Sequence, residues 1–155
     1  MTELSKTISR AMASEYRMRA AELHKWADPL SDEQFWTNPF SHGNSVGNLI
    51  LHLTGNLNYY IGAQVAGTGY MRNRDLEFSE NRRPAKNQVL QNFDETIAMV
   101  VTTIENQSEE DWSRAYIAER EPEAKDRFSI FVRCAVHLYH HIGQLIYLNR
   151  ELLKK

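Results

Sequence analysis

The stretch Arg127–Leu153, RFSIFVRCAVHLYHHIGQLIYLNRELL, decides the fold. Phe128, Ile130, Phe131, Val132, Ala135, Val136, Leu138, Ile142, Leu145, Ile146 and Leu148 recur at helical intervals and spread over a broad arc. That pattern predicts a long helix buried on several sides. His137 and His141 stand four residues apart, one above the other on a single face. The same stripe carries Ile130, Cys134, Leu145 and Leu148, so the two imidazoles face the core. Two such rings are costly to bury unless their nitrogens find a common partner.

A helix of this kind needs partners, and the rest of the chain offers three. Thr2–Ala27 repeats Leu4, Ile8, Met12, Tyr16, Ala20 and Leu23 without Gly or Pro, and Asp28-Pro29 ends the run. Ser45 is placed to cap a second helix reaching about Ala66, where Gly67-Thr68-Gly69 stops it. A third carries Val89, Leu90, Phe93, Ile97, Val100, Val101 and Ile104, with Pro84 suited to its first turn. Between these lie a short turn capped by Ser31, a polar loop over residues 71–78, and residues 108–126, read as a connection with little regular structure. No segment alternates with period two between hairpin turns. The expectation is a single all-α domain, residues 1–155, built as a four-helix bundle.

Composition narrows the function. Lys and Arg number 18 against 20 Asp and Glu, a net charge of −2 that leaves no footprint for nucleic acid or an anionic membrane. Hydrophobic residues at 42% and charged residues at 25% fit an ordered globular domain. No apolar run approaches the ~18 residues of a spanning segment. The N-terminal residues show no secretory pattern, and a single cysteine forms no internal disulfide. A soluble cytoplasmic domain is expected.

On the second helix, His52 follows Leu49 by three and precedes Asn56 by four, an inward position. His52, His137 and His141 therefore make a candidate divalent-metal site between facing helices, with Gln144, Asn56 and Asn48 placed as surrounding hydrogen-bond partners. Nitrogen ligands suit zinc, nickel, iron or copper, and zinc or nickel is expected first. His140 lies off the stripe, while His24 and His42 show no partner spacing and read as surface or loop residues. Cys134 reads as a small buried hydrophobe, and Trp26, Trp36 and Trp112 as seals at the ends of the helices.

Asn44–Asn56 (NSVGNLILHLTGN) resembles the second-helix segment of the DinB/YfiT-like superfamily, and His137–Gln144 (HLYHHIGQ) resembles its final His-x-x-x-His-x-Gly-Gln signature. Arg72–Phe78 is similar to the loop of one uncharacterised branch. The resemblance implies a four-helix bundle, often homodimeric, with a metal on the positions that match here, His52, His137 and His141. It also implies, for several members, transfer of a low-molecular-weight thiol to an electrophile. Arg72 and Arg74 would then hold a carboxylate of the thiol, although alternating Arg and Asp/Glu also fits solvated mutual pairing. The alternatives are hydrolysis by metal-activated water, or a non-catalytic metal- or ligand-binding module. Hydrolysis wants a nearby carboxylate base, and neither histidine-bearing helix has one on the histidine stripe.

Overall fold

Side-chain caps begin most of the helices in a computed structural model that describes residues 2–154. Thr2 accepts from the Ser5 amide to open α1 (Glu3–Ala27), and Ser31 with Gln34 forms a capping box on α2 (Asp32–Trp36). Ser45 caps α3 (Val46–Leu57), which runs into a π-helical segment, π1 (Asn58–Ala66), closed by Gly67 at φ 68°. After α4 (Arg74–Ser79), capped by Asn73, come α5 (Lys86–Glu105) and α6 (Glu109–Ser113). Asp126 caps the last helix, α7 (Arg127–Leu152).

Four long segments carry the core. Against both α5 and α7 pack α1 on one side and α3 on the other. Leu23, Phe35, Ile50, Leu53, Phe93, Val100, Ile104, Ile130, Phe131 and Leu138 are fully buried. Each such side chain contributes about 1.5–3 kcal/mol by leaving water. Tyr16, also fully buried, donates its hydroxyl to the Phe131 carbonyl at 2.8 Å and so pins α1 to α7. Two glycines on α3 let the short helices dock. A Cβ on Gly47 would stand 2.6 Å from the Trp36 ring of α2, and one on Gly55 would stand 2.1 Å from Oε1 of Glu77 on α4.

The chain is all-α; no strand is present among the described residues, only an isolated bridge between Ala115 and Asp126. Among those residues no helix is long and apolar enough to cross a membrane.

Several expectations are corrected. The polar loop over 71–78 contains α4, because Asn73 accepts from the Leu76 amide and starts a turn. The connection over 108–126 contains α6, started by a capping box between Ser108 and Asp111. The second helix changes from α to π winding at Asn58. Pro84 precedes the first turn of α5, and its carbonyl accepts from the Trp36 indole. His24 is not without partners: it joins Asp28 at 3.0 Å and Asp94 at 2.8 Å, bridging α1 to α5. On α7, buried on its other sides as expected, Phe128, Val132, Val136 and Tyr139 stay exposed along one edge.

Candidate metal centre

His52 reaches the site from α3, and His137 and His141 from α7. His52 is buried, while the other two are half-buried. Nε2 of His137 lies 3.2 Å from Nε2 of His52 and 3.1 Å from Nε2 of His141. One nitrogen from each ring falls within 4.8 Å of the others. Nitrogens about 2.0–2.1 Å from a tetrahedral zinc would stand about 3.3 Å apart, close to both spacings.

Proton bookkeeping shows why a cation fits. Nδ1 of His52 is 2.8 Å from Oε2 of Glu77, and a carboxylate only accepts, so that nitrogen carries the proton. Nδ1 of His141 donates to Oε1 of Gln144 at 2.7 Å, an orientation set as the Gln144 amide donates to His140 at 3.4 Å. Both rings therefore turn an Nε2 lone pair to the centre. A proton on Nε2 of His137 could serve only one of them. Nδ1 of His137 is buried without a partner in either tautomer. With the proton on Nδ1 instead, three lone pairs converge with nothing between them. A shared cation would satisfy all three lone pairs at once.

His137 and His141 are also neutral when they must be. Burial pushes His137 down to about 3, helped by His141 and His52. His141 is pushed down to about 4 by burial, although its bond to Gln144 opposes the fall. Near neutral pH their lone pairs are free for a metal.

Glu77 is the residue that sequence reasoning missed. Its carboxylate receives His52 on one side and a fork from Arg72 on the other, with Nε and Nη2 of Arg72 at 2.7 and 2.8 Å. Burial pushes Glu77 up, but the bonds from His52 and Arg72 outweigh it and hold the acid below its ordinary range. A carboxylate behind a ligating imidazole fixes its tautomer and raises its basicity. The pairing is thus buried rather than solvated, and it occupies Arg72.

The other candidates separate. Gln144 touches His141 directly. Asn48 donates to the Glu77 carbonyl at 3.0 Å, holding α4 in place. Asn56 is buried, but its Oδ1 has no hydrogen-bond partner and it makes no bond to His52. Arg74 has no ion pair among the described residues and lies over the Phe78 ring, 5.1 Å from its centre. Burial pushes the Cys134 thiol up to about 12, which leaves it a packing residue.

Beside the histidines opens a cavity of about 520 Å³, lined by Asn44, Arg74, Phe78, Arg133, His140 and Gln144 together with the three rings. No carboxylate lines it. Three histidines close together can hold a metal ion there, with room for a small molecule alongside.

No significant match was found among curated proteins or among solved structures. A family model described as "Protein of unknown function (DUF1572)" matches residues 4–155, and by that match the chain belongs to this family.

Proposed function

We propose that the protein is a metal-dependent enzyme that joins a low-molecular-weight thiol to an electrophile, working in the cytoplasm on a four-helix bundle of the DinB/YfiT-like type. The convergence of three imidazole lone pairs on the wall of an acid-free cavity carries this proposal. Zinc or nickel suits the three nitrogens. When bound, such an ion favours the deprotonated form of a coordinating thiol. Phe78 and Val136 offer the apolar part of the cavity, and Arg74 its free positive charge. Hydrolysis ranks second, because the cavity wall has no carboxylate to take a proton from water and Glu77 is held behind His52 by two partners.

The test is to incubate the zinc-loaded protein with a panel of thiols and a fluorogenic alkylating electrophile, with and without chelator. Thiol consumption that stops on chelation is the expected result. Ester or amide cleavage without thiol would move the assignment to hydrolysis, and neither activity would leave a metal-binding module.

A homodimer is part of the proposal. An apolar cleft of about 500 Å³ between α1 and α7, lined in part by Ile8, Met12, Phe128 and Val132, is the surface offered for it. Val132→Asp is expected to convert the dimer to monomer by light scattering, since a charge there would have to be buried unpaired.

A further inference from the structure

Of the arginines around the histidine cavity, two are already committed. Arg72 spends its fork on Glu77, and Arg133 is bound to Glu121 at 3.0 Å. Arg74 is different. It lines the histidine cavity yet has no ion pair among the described residues. The Phe78 ring backs its guanidinium and packs in turn on His52, with ring centres 4.8 Å apart. One aromatic ring thus holds an uncommitted guanidinium beside a candidate metal ligand.

Arg74 also lines a second, smaller cavity of about 160 Å³, with Tyr59, Tyr60, Arg72, Glu119 and Arg120. Arg120 has no ion pair among the described residues either. Glu119 is the one acid on that wall; it is exposed, and its backbone carbonyl accepts from Tyr60. Arg74 and Arg120 thus set two positive charges without an ion pair against the single acid of these walls, and Arg74 lines both cavities. Walls of one sign concentrate ligands of the other. A stacked guanidinium presents two parallel N–H groups that match the oxygens of an oxyanion.

We infer that the substrate is anionic, and that Arg74 binds its carboxylate, sulfonate or phosphate group at the junction of the two cavities while the reacting end points to the histidines. The link to the reacting end rests on the proposed function; the anion site does not.

Inorganic phosphate titrated into metal-free protein tests the site on its own. The readout is the Nε–Hε resonance of Arg74, assigned by its loss in Arg74→Gln. A saturating shift of that resonance is expected in the wild type, and Arg74→Gln should weaken phosphate binding at least fivefold while zinc content after reconstitution is unchanged. Arg10→Gln, a change of equal charge on α1, should bind phosphate as the wild type does. Absence of a saturating shift, equal binding by Arg74→Gln, or equal weakening by Arg10→Gln would overturn the inference. If zinc fails to bind while phosphate still shifts Arg74, the metal assignment falls and the anion site stands.

Discussion

Replacing His137 with alanine is expected to abolish stoichiometric zinc binding and to leave the helical far-ultraviolet spectrum intact. The effect is large because His137 is the hub: its Nε2 is within 3.2 Å of both other Nε2 atoms. Without it two nitrogens on different helices remain, too few for a tight site. The fold should survive because the ring's Nδ1 has no protein partner to orphan and its Nε2 meets only the two other histidines. Thermal unfolding reads the same event. A ligand at a hundredfold excess over its dissociation constant stabilises a protein by about 2.7 kcal/mol. For a domain of this size that raises Tm by roughly 5–11 °C. Zinc should give the wild type such a rise and His137→Ala none. Full zinc content in His137→Ala, measured by elemental analysis after gel filtration, would remove the site from the molecule.

The second large effect belongs to Glu77. Its side chain and that of Arg72 are only 7% and 10% exposed. Removing one member of a buried pair costs about 3–5 kcal/mol, because the remaining charge has no counterpart. Glu77→Ala is therefore expected to lose most of that by chemical denaturation of the metal-free protein. Zinc affinity should fall as well, by about 10–100-fold, as His52 loses the acceptor that fixes its tautomer. Glu77→Gln separates the two roles. An amide oxygen can still accept from His52, but the amide nitrogen would face the Arg72 fork donor to donor. It should thus keep more zinc affinity than Glu77→Ala while remaining destabilised. Wild-type zinc affinity in both variants would show that the carboxylate serves packing alone.

His52, His137 and His141 were legible because helical periodicity is a local property, and residues four apart on one rod must share a face. Gln144 was legible for the same reason. Glu77 was not: it meets His52 across 25 positions, through a path that depends on Asn73 starting a helix in what reads as a polar loop. His24 and Asp94 are farther apart still, 70 positions, so no spacing rule connects them. The capping box of Ser108 and Asp111 was open to sequence reading, and the acidic composition around it hid it. The change to π winding at Asn58 left no such mark, since NYYIGAQVA has no Pro and its only Gly lies inside the segment. Binary pattern likewise does not tell which edge of α7 stays open, because the exposed Phe128, Val132 and Val136 carry the same apolar label as their buried neighbours.

Glycine inside a helix is a standard target for thermostabilisation, since alanine is favoured there by about 0.8–1.0 kcal/mol. Two helical glycines of this protein would answer such a programme in opposite ways. At Gly143 an added methyl meets nothing within 4 Å, so the gain in propensity is kept. At Gly55 the same methyl would collide with the Glu77 carboxylate that receives His52, so the substitution would push aside the acid behind the three histidines and forfeit the gain.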